Sequence, residues 1–247
     1  MYLNMSGHSK WSKIKRGKAI TDAKRGKMFS KMARIISVAA REKGGDPQFN
    51  PTLRMAIEQA KTANMPNENI ERAIAKGTGG GEEGKMEEFL YEAYGPGGVA
   101  LLIEGITDNK NRTLSEIKNI LTKNNGKFVE SGGVSYLFNK KGVIIVSNEE
   151  KNFSSDDLEM AAIEAGVEDI KWRENNFLET YTKPDALDEI KNNLEQKNIP
   201  VESFSLDWIA QNEIEIKDGK IKAQIEKLFE ALEEQDDVSE IYSNYRE

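Results

Sequence analysis

The chain has 247 residues, of which 38% are hydrophobic and 31% charged, so it holds enough apolar material for two or three small cores. It contains no cysteine, which excludes disulfides, thiolate metal sites and cysteine nucleophiles and is typical of a reducing compartment. No apolar run approaches the roughly 20 residues that span a membrane, so we expect a cytoplasmic protein with no membrane partner.

The charges are divided unevenly along the chain. Residues 1–78 hold 16 basic and six acidic residues, a net charge of +10, whereas residues 79–247 hold 19 basic and 36 acidic residues, a net charge of −17. A basic segment on an acidic body predicts that the N-terminal part binds a polyanion such as nucleic acid.

Three short helices are predicted in the basic segment, at residues 22–43, 50–63 and 66–77. The first has apolar side chains at spacings of three and four residues, and the second opens with an Asn-Pro pair that is typical of a helix start. Three such helices make a small bundle.

One face of the first helix is predicted to concentrate positive charge. At 100° per residue, five cations fall in an arc about 100° wide, away from the apolar stripe. They are Lys24, Lys27, Lys31, Arg34 and Arg41. One face of this helix can therefore pack in the bundle while a neighbouring face offers cations to a partner.

Beyond the helices, the predicted elements are a mixture of α and β. Strands at 89–94 and 99–106 are followed by a helix at about 114–123 and a strand at 134–138. From residue 143 to residue 206 the order is βαββαβ, which is that of a ferredoxin-like unit.

The elements before this unit (ββαβ) and after it (αβ) make a reasonable domain only if they come together. We therefore predict a multidomain α+β fold, in which the third domain is inserted in the second. The predicted limits are 1–78 for the helical domain I, 79–84 for a glycine-rich linker, 85–140 plus 209–247 for domain II, and 141–208 for domain III.

Short motifs along the whole chain carry a resemblance. They are GHSKW (7–11), DAKRGK (22–27), GGDP (44–47), ANMP (63–66), IERAI (70–74), KGTG (76–79), YEAYGPGG (91–98), TDNKNRT (107–113) and SGGV (131–134). With these motifs in this order, the chain resembles the YebC/PmpR family. The resemblance implies a helical domain, two α+β domains and a cytoplasmic, non-enzymatic regulator of gene expression. Some members are labelled DNA-binding transcriptional regulators, and others act in translation on the ribosome.

The basic block, which runs from His8 to Lys18 and continues into the first helix, forms the predicted nucleic-acid site together with the cationic face of that helix. Lysine and arginine bind phosphates by charge, and Trp11 or His8 can stack on an unpaired base. The predicted contacts are His8, Lys10, Trp11, Lys13, Lys15, Arg16, Lys18, Lys24, Arg25, Lys27, Lys31, Arg34 and Arg41. The alternative is a solvated helix face, with Trp11 anchoring the block to the bundle.

A second predicted contact lies between a strand and a helix, at Asn109, Lys110, Asn111 and Arg112. Asn111 is predicted to cap the helix, while Lys110 and Arg112 point outward toward nucleic acid. The alternative is capping chemistry together with an ion pair between Arg112 and Glu116.

No catalytic or cofactor site is expected. His8 is the only histidine, so a metal site built from several histidines is excluded. Residues 79–85 have the spacing of a phosphate-binding loop up to the lysine, but Met86 replaces the hydroxyl residue and the segment follows a helix. We therefore expect no enzyme activity, cofactor, metal or small-molecule substrate.

Two functions remain open from the sequence. The favoured one is a monomeric, ribosome-associated translation factor that holds rRNA or tRNA through domain I, because an acidic body fits poorly along DNA. The alternative is a DNA-binding transcriptional regulator. Against it, the second helix offers only Arg54, Glu58 and Lys61 on its polar side, which is not enough for base reading.

Overall fold

The computed structural model describes residues 22–79, 86–148, 152–173 and 176–246, so most of the predicted linker at 79–84 lies outside them. The helices are α1 Asp22–Lys43, α2 Pro51–Thr62, α3 Asn67–Thr78, α4 Lys110–Lys123, α5 Ser155–Ala165, α6 Leu187–Gln196 and α7 Gly219–Glu233. The strands are β1 Glu87–Tyr94, β2 Ala100–Thr107, β3 Lys127–Val129, β4 Phe138–Ser147, β5 Asp169–Arg173, β6 Phe177–Thr182, β7 Val201–Ala210, β8 Ile214–Glu215, β9 Val238–Ser243 and β10 Tyr245–Arg246.

The helices α1, α2 and α3 pack as the predicted bundle. Asn50 starts α2, because its Oδ1 accepts a hydrogen bond from the Leu53 amide at 3.0 Å while its Nδ2 donates to the Ala39 carbonyl oxygen of α1 at 2.8 Å. Gly77 allows α3 to approach α1, since a Cβ there would lie 2.3 Å from the Ser37 carbonyl oxygen. The core consists of apolar side chains from all three helices, among them Ile36, Ala39, Leu53, Ala60, Ile70 and Ala73.

Domain II contains a four-stranded antiparallel sheet in the order β3-β1-β2-β9. Three of these strands precede the third domain in the chain and β9 follows it, so two separated segments complete one sheet. The helices α4 and α7 cover one face, over a core that includes Leu101, Ile103, Ile117, Leu121 and Leu228. The α+β class and the insertion of one domain in another are therefore confirmed.

Domain III has the predicted βαββαβ order, and its antiparallel sheet runs β5-β6-β4-β7. The helices α5 and α6 pack on it through Leu158 and Leu194. The pair β4 and β7 extends as far as Phe138, which lies opposite Ala210. This end of the β4–β7 pair packs against Tyr242, on the face of the domain II sheet opposite α4 and α7. The contact is apolar and joins the two sheets.

Two local predictions in domain II were wrong. The segment predicted as a strand at 134–138 contains a 3-10 turn at Ser135–Leu137, and only its last residue belongs to β4. Helix α4 begins four residues before the predicted start, because Asn109 and not Asn111 is its N-cap. In both places a side-chain oxygen captures backbone amides, which hydrophobic periodicity does not reveal.

Candidate nucleic-acid interface

The predicted contacts are distributed over two parts of the chain. Seven lie outside the described residues: His8, Lys10, Trp11, Lys13, Lys15, Arg16 and Lys18. The other six lie on α1, where Lys24, Arg25, Lys27 and Arg41 are exposed while Lys31 and Arg34 are half-buried.

Two lysines of α1 reach the end of a helix in domain II. Nζ of Lys27 donates to the Glu234 carbonyl oxygen at 2.7 Å, and Nζ of Lys31 donates to the Glu233 carbonyl oxygen at 2.8 Å. The segment that receives them is the C-terminal end of α7 and the turn that follows. We call residues 233–237 the acidic turn.

The acidic turn attracts cations for two physical reasons. The last carbonyls of a helix have no intrahelical partner, and that end of the helix carries a partial negative charge. Asp236 and Asp237 add two carboxylates, and Oδ1 of Asp236 lies 3.5 Å from Nζ of Lys27. Nη1 of Arg34 donates to the Asp236 carbonyl oxygen at 2.9 Å. Three of the five predicted face cations therefore contact the chain's own acidic body.

Asp237 is the buried centre of this contact, with 6% of its side chain exposed. Its carboxylate accepts hydrogen bonds from Arg34 and Arg112, both at 2.8 Å, and from Thr113 at 2.7 Å. Burial by itself raises the pKa of this carboxyl, but these hydrogen bonds, together with one from Gln235, outweigh burial and lower the pKa to about 2. The group is therefore a carboxylate at neutral pH.

The backbone of the acidic turn is held against β2. The Ile106 amide donates to the Asp237 carbonyl oxygen at 2.9 Å. A Cβ at Gly105 would lie 2.0 Å from that same oxygen, so only glycine permits this approach without a shift. The turn is thus held at Asp237 from the domain II side, independently of α1.

The second predicted contact is mostly part of this same network. Asn109 caps α4 by accepting from the Arg112 amide at 3.1 Å, so the predicted cap at Asn111 was wrong. The Arg112 guanidinium pairs with Asp108 and Asp237 and not with Glu116.

Lys110, in the same segment, is half-exposed and lies 3.3 Å from Glu87. Thr107 and Thr113 join their hydroxyls at 2.7 Å beside the Asp237 carboxylate. Residues of the TDNKNRT motif therefore hold the Asp237 carboxylate in place through their hydrogen bonds.

The sequence patterns did not predict two features of the structure, and the carboxylate of Glu92 is the first. Its buried carboxylate accepts hydrogen bonds from the amides of Gly132, Val134 and Ser135 at 2.7–2.8 Å. Burial raises the pKa of Glu92, but these amides outweigh burial and lower it. The YEAYGPGG and SGGV motifs are thereby joined into one rigid unit.

Phe49, in the loop between α1 and α2, is the second feature. It is 81% exposed, although the loop itself is fixed by buried Asn50 and by a hydrogen bond from the Phe49 amide to the Asp46 carbonyl oxygen at 3.2 Å. A large exposed aromatic ring on an ordered loop is a surface feature that no periodic pattern predicts.

The polar side of α2 contacts domain III. Arg54 pairs with Asp188, and Nζ of Lys191 lies 2.6 Å from Oε2 of Glu58. Nε2 of Gln59 also donates to a carbonyl oxygen of β7 at 3.0 Å. Two of the three side chains that α2 offered for base reading are therefore in an interdomain contact.

Two family models together match almost the whole chain. The model described as the TACO1/YebC protein N-terminal domain matches residues 9–80, and the one described as the TACO1/YebC second and third domain matches residues 86–245. The chain belongs to the TACO1/YebC family. The resemblance stated from the motifs is thereby confirmed.

Relatives within the TACO1/YebC family match over their full length. A protein from Halothermothrix orenii is 49% identical over 241 residues, which covers 98% of this chain and 95% of the relative. One from Persephonella marina is 49% identical, covering 98% and 96%, and one from Geobacillus thermodenitrificans is 46% identical, covering 98% of each. All three carry the name "Probable transcriptional regulatory protein".

A solved structure has the same fold as this TACO1/YebC chain. It is the crystal structure of a conserved hypothetical protein from Aquifex aeolicus, which is 47% identical, covers 96% of each chain and superposes with a TM-score of 0.86. Within the part of the chain that the structure describes, no helix is both long and apolar enough to cross a membrane. The same residues contain no group of three or more histidines and carboxylates placed to hold a metal ion.

Proposed function

We propose that this TACO1/YebC chain is a non-enzymatic regulator of gene expression that binds nucleic acid through domain I. The observation that carries the proposal is the split of charge, +10 in residues 1–78 against −17 in the rest. The relatives' shared name, which calls them transcriptional regulators, supports a nucleic-acid partner. On α1, the exposed cations Lys24, Arg25 and Arg41 are suited to phosphate contacts that follow on from the basic block.

The position of α2 favours RNA over duplex DNA as the partner. A helix that reads DNA needs an open polar face to enter the major groove. On α2, Arg54 and Glu58 face Asp188 and Lys191 of domain III instead. A body of net charge −17 would also be repelled by a duplex lying along it, whereas basic ribosomal proteins would attract it.

The finer proposal is therefore a cytoplasmic, monomeric translation factor that holds rRNA or tRNA on the ribosome. The alternative is a transcriptional regulator that binds promoter DNA. Sucrose-gradient sedimentation of lysates at low salt, with translation stalled, separates the two. Co-sedimentation with ribosomes is expected, whereas a protein found wholly in ribosome-free fractions that protects one promoter sequence from cleavage would favour the alternative.

A salt titration tests whether α1 is the binding element. Changing Lys24, Arg25 and Arg41 to glutamine removes three exposed cations of α1, and the slope of log K against log salt for single-stranded RNA should become shallower by about 2. The matched control changes Lys123, Lys220 and Lys227, which are exposed in domain II, and should leave the slope as it is. Equal slopes in all three proteins would remove Lys24, Arg25 and Arg41 from the interface.

A further inference from the structure

The acidic turn presents to α1 the kind of surface that a nucleic-acid backbone presents. Three carbonyl oxygens, those of Glu233, Glu234 and Asp236, accept hydrogen bonds from the cationic face of α1. The carboxylates of Asp236 and Asp237 lie among them. Oxygen acceptors with net negative charge, spaced along a short backbone, are what lysine and arginine meet on phosphates.

We propose that the acidic turn is an internal competitor for nucleic acid. In the protein without a partner it occupies Lys27, Lys31 and Arg34, and a bound RNA strand displaces it from the first two of these. This inference rests on the proposed function, since it concerns how the nucleic-acid site on α1 is regulated. Because linkage is reciprocal, whatever loosens the turn strengthens RNA binding, and RNA binding loosens the turn.

The contact between α1 and the acidic turn is exposed at its edge, at Lys27 and Asp236, and buried at its centre, at Asp237. At the edge, the side chains of Lys27 and Asp236 are 48% and 69% exposed, and exposed ion pairs of this kind are weak and screened by salt. At the centre, Arg34 meets Asp237, which is buried and has four further hydrogen-bond partners, namely Arg112, Thr113, Thr107 and Gln235. Phosphates can therefore replace the turn at Lys27 and Lys31 without opening the Asp237 network.

Gln235 holds the shape of the acidic turn and carries no charge. Its Oε1 accepts from the amides of Asp237 at 2.6 Å and Val238 at 2.9 Å, while its Nε2 donates to Glu116 at 2.9 Å. Removing this side chain loosens the turn without altering the net charge of the protein. Any gain in RNA affinity then reports release of α1 rather than a general electrostatic effect.

The test measures the affinity of the full chain for a fluorescein-labelled 20-nucleotide single-stranded RNA by anisotropy at fixed salt. Gln235→Ala should bind at least about fivefold more tightly than the unchanged chain, which is the lower end of typical coupling between sites. Gln224→Ala changes an exposed glutamine on α7, the helix that precedes the turn, and is the control that should bind within about twofold of the unchanged chain.

A second pair of variants guards against a change in folding. Asp236→Asn alters an exposed side chain at the edge of the contact and should also tighten RNA binding, whereas Glu226→Gln makes the same charge change on α7, outside the acidic turn, and should have less effect. Lys27→Gln with Lys31→Gln should weaken binding.

The outcomes separate the two proposals. If the lysine changes weaken binding while Gln235→Ala and Asp236→Asn match their controls, α1 binds RNA without competition and the masking proposal is overturned. If the lysine changes have no effect, Lys27 and Lys31 are not part of the RNA site and the proposal is equally overturned. If the unchanged chain binds neither this RNA nor a duplex DNA of the same length, the proposed function itself fails.

Discussion

The two contacts that domain I makes with the rest of the chain differ in kind. Against domain II, α1 offers Lys27 and Lys31 to backbone carbonyls at the molecular surface. Against domain III, α2 meets Lys191, whose side chain is 10% exposed and lies between the Glu58 carboxylate and the Phe204 ring, with Nζ 4.7 Å from the ring centroid. At Lys27 the first contact is polar and open to water, whereas the second is desolvated at Lys191, although its Arg54–Asp188 pair is about 40% exposed.

This difference indicates which contact can exchange partners. Met55 of α2 packs against the apolar core of domain III, so separating these two elements exposes apolar surface. The outer part of the α1 contact consists of hydrogen bonds and an exposed ion pair, and its acceptors can be replaced by phosphate oxygens at small net cost. The contact with domain III is therefore the fixed attachment of domain I, while the edge of the contact with domain II is the adjustable one.

The largest loss of stability is expected from a change at Asp237, the buried centre of the contact between α1 and domain II. Asp237→Asn removes the carboxylate that pairs with Arg34 and Arg112 and should lower the free energy of unfolding by roughly 3 kcal/mol. Asp236→Asn, at the exposed edge of the same turn, should cost less than about 0.5 kcal/mol. Urea unfolding followed by circular dichroism compares them, and similar small losses in both would mean that Asp237 is not the centre of the contact.

The next largest loss of stability is expected from a change at Lys191, in the contact between α2 and domain III. Lys191→Met keeps the apolar stem over Phe204 but removes the charge that pairs with Glu58, and it should lower the free energy of unfolding by about 2 kcal/mol. Lys197→Met removes a cation whose partner Glu164 is exposed and should cost below about 0.5 kcal/mol. A loss at Lys191 no greater than the loss at Lys197 would contradict a desolvated attachment.

Acid should remove the Asp237 contribution within a defined pH range. The pKa of Asp237 in the folded chain is about 2, below its ordinary value of 3.8, so its contribution is complete above about pH 4 and is lost as the pH falls toward 2. The stability difference between the unchanged chain and Asp237→Asn should shrink over that range. Glu92 also has a lowered pKa, but it is present in both proteins and cancels in the difference. A difference that is constant from about pH 5 to about pH 2 would contradict the assigned network.

The smallest effect on stability is expected at the exchangeable edge. Lys27→Gln should change the free energy of unfolding by less than about 0.5 kcal/mol, because its side chain is half-exposed and its partners can turn to water. Arg34→Gln, which reaches the buried Asp237, serves as the contrasting variant and should cost more. Equal costs would show that the contact is not graded from edge to centre.

Much of the fold could be predicted from sequence patterns. Asn50 before a proline marked the start of α2, and the incomplete element sets on either side of residues 143–206 indicated that domain III is inserted in domain II. The cap could be predicted because it depends on residues that are adjacent in the sequence. The insertion could be predicted because neither set of elements makes a complete domain alone. The role of Glu92 could not be predicted, because its amide partners lie 40 to 43 residues away in a loop with no periodic pattern.

The candidate site was predicted only in part, for a similar reason. Helical periodicity correctly places Lys27, Lys31 and Arg34 on one face of α1. It does not reveal that the face meets the end of α7, because the carbonyl acceptors there lie about two hundred residues further along the chain and every residue has one. A cationic stripe in a sequence therefore identifies a face that binds negative charge, and only the tertiary structure shows that the chain itself supplies some of that charge.

Backbone hydrogen exchange with and without RNA tests the central claim most directly, because it observes both contacts in one sample. At saturating 20-nucleotide single-stranded RNA, amides 234–236 at the exposed edge of the acidic turn should exchange faster than in the protein alone, while those of α6 in the fixed contact should be unchanged. Slower or unchanged exchange in the acidic turn at demonstrated saturation would contradict the account.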